Sequence, residues 1–89
     1  MASKTVTVGS AVGLHARPAA IIAEAAAKYD DDVFLALVGE EDDDEPTEAA
    51  SSLMIMALGA EKGDQVVVTS DNAEAVEEIA ALIEQDLDA

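Results

Sequence analysis

The sequence predicts a two-layer α+β fold, an antiparallel sheet of four strands with three helices on one face. Two observations predict it. A stretch in which polar and apolar residues alternate, with β-branched residues among them, is typical of a strand with one buried face. Stretches with apolar residues at helical spacing are typical of helices packed on a sheet. Their order is strand, helix, strand, weak strand, short helix, strand, helix, which favours one shared core. With 89 residues, we expect a single domain over residues 1–89.

The first half of the chain supplies three of these elements. The alternating K-T-V-T-V of residues 4–8 predicts a strand, and the Ala-rich residues 16–28 predict a helix, since Pro18 falls in the first turn where proline is tolerated. A turn at Asp30 to Asp32 leads to a second strand over residues 33–38. The predicted inward face of the helix contains Ala19, Ile22, Ala23 and Ala26.

The acidic segment E-E-D-D-D-E-P-T-E, residues 40–48, predicts at most a short exposed strand, because of its charge and Pro46. A calcium loop is the alternative, but the spaced ligands and central glycine of such a loop are missing. The following S-S-L-M-I-M-A-L, residues 51–58, predicts a short helix with Ser51 or Ser52 as its N-cap and Gly59 at its end.

The last part of the chain predicts a strand over residues 65–69 and a long surface helix after it. The D-N-A-E of residues 71–74 has the spacing of a capping box. The apolar residues that recur at helical intervals after it are Val76, Ile79, Ala80, Ile83 and Leu87.

The composition excludes several classes of function. Twenty acidic residues against four basic ones, a net charge of −16, argue against nucleic acid and against anionic membrane surfaces, which both require a positive footprint. The absence of cysteine and the single histidine argue against disulfides, thiolate clusters and zinc sites built on several imidazoles, so we expect no metal and no cofactor. Neither an export signal nor an apolar stretch long enough to span a membrane is present, which predicts a cytoplasmic protein.

The acidity also indicates a cytoplasm of very high salt. Disorder is contradicted by the 51% hydrophobic residues in periodic patterns, and an ordinary acidic binding protein is the alternative explanation. At 1 M salt the Debye length falls to roughly 3 Å, so that like charges on a surface barely repel each other. We therefore expect a halophilic source and a thermal stability that rises with salt into the molar range.

The stretch G-L-H-A-R-P-A-A, residues 13–20, carries the most informative chemistry. If a helix begins after His15, its first N–H groups have no partners within the helix, and together with the helix dipole they favour a bound anion. Arg17 is unfavourable to the helix at this end, yet its guanidinium matches phosphate oxygens. The same field favours a neutral imidazole, the form a nucleophile needs. The pattern therefore predicts a histidine that accepts a phosphoryl group and transfers it.

Two alternatives start from the same residues. His15 by itself is also compatible with a helix cap or a merely exposed side chain beside a solvent-facing arginine. A hydrolase triad would need a partnered nucleophile, and nothing in the sequence marks Ser10 or a carboxylate as one.

The motif G-L-H-A-R-P-A resembles the active-site signature of HPr, the histidine-containing phosphocarrier family of the sugar phosphotransferase system. The resemblance extends to S-S-L-M-I-M-A-L-G-A-E-K-G-D-Q-V-V-V-T, residues 51–69, and to length and element order, so it covers essentially the whole chain. It implies an open-faced β-sandwich of βαββαβα order, a monomer, and a protein substrate rather than an enzyme. The histidine of this family is phosphorylated at Nδ1 by Enzyme I, using phosphoenolpyruvate, and passes the group to EIIA-type acceptors.

The resemblance assigns roles to individual residues. It implies that His15 accepts the phosphoryl group, that Arg17 stabilises it, and that the backbone N–H groups of Ala16 and Arg17 bind its oxygens. Ser51 aligns with a serine that a regulatory kinase modifies in some members, and an N-cap role is equally compatible with its position. Leu53 and Met56 match a docking face beside the histidine, although both are also compatible with the core. For Met54 and Ile55 we favour the core.

The chain also departs from the family pattern. It is longer between Gly39 and Ser51, and the additional residues are acidic. The family's docking face is commonly basic, whereas only Arg17 lies near this site by sequence, and Ala49 and Ala50 supply no charge near Ser51. The downstream acceptor stays open: an EIIA-type domain, for example of a fructose transporter, or the phosphotransferase subunit of a dihydroxyacetone kinase. A regulatory HPr-like binding module without phosphoryl relay is the alternative function, and a metal-dependent hydrolase using the acidic loop is a third.

Overall fold

The computed structural model of the chain describes residues 2–11, 13–39 and 47–85. Its strands and helices follow the predicted order, and their bounds are β1 (Ala2–Thr7), α1 (Ala16–Ala26), β2 (Val33–Leu37), β3 (Thr47–Glu48), α2 (Ser52–Leu58), β4 (Gln65–Ser70) and α3 (Ala73–Glu84). The predicted α+β class and the βαββαβα order are therefore confirmed.

The four strands form one antiparallel sheet in the order β1-β4-β2-β3. Val6 of β1 lies opposite Val66 of β4, and Leu35 of β2 lies opposite Val68 of β4. All four of these side chains are buried, whereas their neighbours along each strand are more exposed. The alternation that predicted the strands thus corresponds to a sheet with one buried face.

The helices lie on that buried face. α3 packs against β1 and β4, α2 packs against β2 and β3, and α1 packs against both other helices. The predicted inward face of α1 is confirmed, with Ile22 fully buried. The predicted inward face of α3 is buried as far as Ile83, while Leu87 lies outside the described residues. The result is an open-faced sandwich.

The first helix ends earlier than predicted. It ends at Ala26 instead of residue 28, because the N–H groups of Lys28 and Tyr29 donate to the carbonyls of Ala25 and Ala26, three residues back, at 3.2 Å each. This tightened turn closes the helix before the acidic turn. The strand ends also shift by one or two residues from the predicted bounds.

The prediction of a capping box at the start of α3 is wrong. The N-cap is Asn72, one residue after Asp71, and its Oδ1 accepts hydrogen bonds from the N–H groups of Glu74 and Ala75 at 3.0 and 3.3 Å. Glu74 therefore lies at the second helical position, one short of the position from which a capping-box glutamate reaches back. Asp71 and Asn72 are both favourable caps, and the sequence alone did not separate them.

The weak strand is present and short. β3 contains two residues, which pair with Phe34 and Leu35 of β2. The rest of the acidic segment, residues 40–46, lies outside the described residues, and so does most of the calcium loop that the sequence offered as an alternative. Among the described residues, no group of three or more His, Cys, Asp or Glu side chains is placed to hold a metal ion, and no described helix is long and apolar enough to cross a membrane.

Candidate functional site

The segment between β1 and α1 is held by main-chain hydrogen bonds to two distant parts of the chain. The N–H of Val8 donates to the carbonyl of Asp64 at 2.9 Å, and the N–H of Gly9 donates to the carbonyl of Ile83, near the end of α3, at 3.0 Å. Ser10, the serine of the hydrolase alternative, is 1% exposed, so it is not presented to a substrate. The chain therefore approaches α1 from a fixed position.

Leu14 is the second anchor of this segment. Its side chain is 2% exposed and belongs to the core. Its N–H donates to the carbonyl of Ala60 at 2.9 Å, and Ala60 directly follows Gly59, the C-cap residue of α2. The residue before His15 is thus fixed by burial and by a bond to the end of α2.

His15 is the N-cap residue of α1. Its backbone is extended, and its carbonyl accepts the first hydrogen bond of the helix from Ala19 N–H at 2.8 Å. Its imidazole is exposed and makes no capping hydrogen bond. Buried residues flank it, Leu14 on one side and Pro18 and Ala19 on the other. The imidazole is therefore exposed, while the backbone on either side of it is held by buried residues.

The first turn of α1 presents donors to solvent. Ala16 and Arg17 are the first two helical residues, where N–H groups have no partner within a helix, and Pro18 has no N–H to offer. No acidic residue lies in this turn. The Arg17 side chain is exposed and forms no ion pair with any acidic side chain in the part of the chain that the structure describes. Donors and a free cation thus surround the place where a group on His15 would lie.

The predicted role of Ser51 as N-cap of α2 is confirmed. Its hydroxyl oxygen accepts a hydrogen bond from the N–H of Met54 at 3.3 Å. Gly59 ends this helix with a positive φ of 74°. The helix is therefore closed at both ends by the residues that the sequence indicated.

The two predicted docking residues differ in exposure. Leu53 is 75% exposed and does not belong to the core. Met56 is half-buried and packs against the core, whereas Ile55 is fully buried and Met54 is half-buried. Because α2 packs against α1 and its end bonds to Leu14, the exposed Leu53 belongs to an element that is attached directly to the segment bearing His15.

Sequence reasoning missed the attachment between the two segments. Gly13 and Leu14 could be noticed in the sequence as a glycine and an apolar residue directly before the histidine. Their partner Ala60 lies 46 residues beyond Leu14 and has no distinctive sequence feature. The pairing became visible only in three dimensions.

Comparisons with known proteins agree with this architecture. A family model described as "PTS HPr component phosphorylation site" matches residues 2–85. The chain is 42% identical to a phosphocarrier protein HPr of Streptomyces coelicolor, over 99% of this chain and 94% of that protein. It is similar to the crystal structure of HPr-C-His from Thermoanaerobacter tengcongensis, with a TM-score of 0.82, 29% identity and coverage of 100% and 98% of the two chains. For an HPr of Bacillus anthracis the TM-score is 0.79, at 30% identity and 92% and 95% coverage.

Proposed function

The chain belongs to the HPr family, the phosphocarriers of the phosphotransferase system, and we propose that His15 is the residue on which it carries the phosphoryl group. The observation that carries this proposal is the start of α1. An exposed imidazole without a capping bond lies beside unpartnered helix donors and beside an arginine that has no ion-pair partner among the described residues. The same turn contains no acidic residue. His15 is also the only histidine of the chain.

The proposed reaction is two successive transfers. The lone pair of His15 Nδ1 attacks the phosphorus of a phosphohistidine on Enzyme I, itself charged from phosphoenolpyruvate, and a new N–P bond forms as the old N–P bond breaks. The same bond then breaks when the imidazole of an acceptor attacks. Each step exchanges one N–P bond for another, so no oxidant, reductant or cofactor enters the balance.

The proposed contribution of the surrounding residues is electrostatic. The N–H groups of Ala16 and Arg17 point away from the helix toward solvent and are oriented to donate to phosphoryl oxygens. The Arg17 guanidinium supplies a permanent positive charge with a planar set of donors. Because the helix fixes these N–H groups before the reaction, they stabilise charge in the transition state without reorganising.

The proposed partners are Enzyme I and an EIIA-type domain, for example of a fructose transporter, or the phosphotransferase subunit of a dihydroxyacetone kinase. Leu53 gives an exposed apolar contact on α2, and Met56 beside it is half-buried. With a net charge of −16, the chain has little basic surface for docking, so apolar contact is the main source of affinity in the proposal. We place the carrier in the cytoplasm as a monomeric single domain.

Modification of Ser51 stays a prediction. Its hydroxyl caps α2, and a phosphoryl group on a helix N-cap would be stabilised by the same dipole that favours anions elsewhere. No basic residue precedes it in the stretch from Glu48 to Ala50.

The proposal is tested by incubating the protein with Enzyme I and labelled phosphoenolpyruvate in molar salt. Wild type and a Ser51→Ala control should both acquire an acid-labile label, and His15→Ala should acquire none while its circular dichroism spectrum stays unchanged. An acid-labile label on His15→Ala would overturn the assignment. A folded wild type that stays unlabelled, with Enzyme I shown to be active on another carrier, would favour a regulatory binding module instead.

A further inference from the structure

We infer that Gly13 is a positioning residue for phosphoryl transfer: its missing side chain allows the segment bearing His15 to lie against the peptide that follows α2. The inference rests on the proposed role of His15. It concerns how the imidazole is held relative to α2, the element that carries Leu53.

The backbone at Gly13 is constrained in two independent ways. Its φ is +78°, in the left-handed region that other residues rarely adopt. A Cβ atom at this position would lie 2.5 Å from the carbonyl oxygen of Ala60 and 3.0 Å from the Cα of Glu61. Both neighbours are backbone atoms, so no side chain can rotate away, and any larger residue must push the two segments apart.

The Ala60 carbonyl is the point at which the two segments meet. It accepts the hydrogen bond from Leu14 N–H at 2.9 Å, so the atom that a side chain on residue 13 would strike is the acceptor that anchors residue 14. His15 follows immediately and has no side-chain capping bond to hold its ring. The position of the imidazole therefore depends on the path of the backbone through residues 13 and 14.

This dependence predicts an effect on transfer that differs from an effect on docking. Leu53 lies near the start of α2, seven residues before Ala60, so we expect the displacement to act mainly on the 13–14 segment and binding to Enzyme I to be retained. The in-line approach of Nδ1 to phosphorus should be lost in part, and a displacement of about 1 Å lowers a rate by up to roughly a hundredfold. A change in kcat with KM preserved is the expected signature.

The chain provides a matched control in Gly63. Its φ is +90°, but an added Cβ would meet no atom within 4 Å. Gly63→Ala therefore introduces the backbone strain of a positive φ without pushing on the Ala60 carbonyl. If strain or loss of stability alone reduced transfer, the two variants would behave alike.

The experiment measures steady-state phosphorylation by Enzyme I of wild type, Gly13→Ala and Gly63→Ala, each confirmed as folded by its thermal transition. We expect kcat for Gly13→Ala to fall roughly tenfold or more with KM unchanged, and Gly63→Ala to retain the wild-type kcat. Equal rates in the two variants would overturn the inference while leaving the proposed function in place. A wild type that accepts no phosphoryl group would instead refute the proposed function itself.

A second measurement covers the case in which Gly13→Ala does not fold. In wild type, the Leu14 amide should exchange with deuterium as slowly as the amides of β4, because its bond to Ala60 holds the segment. Exchange of the Leu14 amide as fast as that of an exposed loop amide would show that the segment is not held there, and would overturn the inference without any variant.

Discussion

The starts of the three helices differ in how their first N–H groups are satisfied. At α2 and α3 the N-cap side chain does this work: Ser51 accepts from Met54 N–H, and Asn72 accepts from two N–H groups. Asn72 is followed by Glu74, an acid in the first turn that complements the helix dipole. At α1 the N-cap is His15, which accepts nothing with its side chain, and the charged residue of the first turn is Arg17.

The capped starts of α2 and α3 stabilise those helices, whereas the start of α1 leaves its N–H donors available to a ligand. Two helices of the same chain follow the usual capping chemistry, so the absence of a cap at α1 is not a general property of this acidic protein. The residues that would stabilise α1 by itself, an N-cap aspartate and an acid in the first turn, would occupy or repel the anion that the proposed function places there. The uncapped start therefore supports the proposal that His15 carries a phosphoryl group.

The largest effect on phosphoryl transfer is expected when the N-cap residue of α1 is replaced by a residue that caps with its side chain, as the N-cap of α3 does. His15→Asp should abolish phosphoryl acceptance completely, because the only imidazole is removed. The same change should stabilise the fold by about 1 kcal/mol, since an aspartate cap satisfies an N–H group that His15 leaves unpaired. Urea unfolding of wild type, His15→Ala and His15→Asp measures this gain, and an Asp variant less stable than wild type would contradict the comparison.

Removing Arg17, the cation in the first turn of α1, is expected to have the next largest effect on phosphoryl transfer. Arg17→Ala should lower the rate of phosphoryl transfer from Enzyme I by roughly a hundredfold, because a permanent positive charge and its donors are lost. The thermal transition should hardly change, since Arg17 is exposed and unpaired among the described residues. Rapid-quench kinetics measure the rate.

The control for Arg17 lies just beyond the other end of the same helix. Lys28→Ala alters the net charge equally and should leave transfer at the wild-type rate. If Lys28→Ala slows transfer as much as Arg17→Ala, the effect comes from overall charge and not from the site. Arg17→Lys should recover part of the rate, because it restores the charge without the planar set of donors.

Removing the N-cap side chain of α3 is expected to lower stability and to leave phosphoryl transfer unchanged. Asn72→Ala should destabilise the protein by about 1 kcal/mol, because its Oδ1 accepts two N–H groups, and the phosphorylation rate of the folded protein should stay at the wild-type value. Thermal unfolding and the labelling assay measure the two quantities. A loss of transfer without a loss of stability would mean that the two helix starts do not serve different purposes.

The smallest effect concerns a hydrogen bond made just beyond the end of α1 that is opposite to His15. Tyr29 donates to Glu78 Oε1 at 2.6 Å, and this bond, together with burial and nearby carboxylates, raises the pKa of Tyr29 to about 12. The ordinary tyrosine pKa is about 10, so the stabilisation is fully present below pH 10 and is lost as the pH rises toward 12.

A comparison of wild type with Tyr29→Phe isolates this contribution. The difference in melting temperature between the two proteins should be small at pH 9 and should shrink toward zero by about pH 12. Transfer by the Phe variant should be unchanged at neutral pH. A difference that grows with pH would contradict the assigned hydrogen bond.

The sequence predicted those features that depend on local patterns. Alternation in K-T-V-T-V and helical spacing around Ile22 and Ile79 identified the buried faces, because burial imposes those periods directly. Adjacent cap candidates such as Asp71 and Asn72 could not be separated, since both have suitable side chains and the choice depends on how the helix meets the sheet.

The placement of the candidate site at a helix start could be predicted from the sequence, whereas the contacts that hold it could not. The positions of His15 and Arg17 at a helix start followed from the sequence around Pro18. The contact of Gly13 with Ala60 joins residues far apart in the chain, and neither the exposure of Leu53 nor the half-burial of Met56 follows from an apolar helix without knowing which side meets the sheet. These contacts and exposures depend on tertiary packing.

The most direct test of the uncapped start is to follow the backbone amides by NMR while Enzyme I and phosphoenolpyruvate phosphorylate the protein in molar salt. We expect a phosphorus signal of Nδ1-phosphohistidine to appear together with large downfield shifts of the Ala16 and Arg17 amide protons, while the amides of Met54, Glu74 and Ala75, already capped, stay in place. A phosphorylated His15 that leaves the Ala16 and Arg17 amides unshifted would contradict the claim that the start of α1 is kept open for the phosphoryl group.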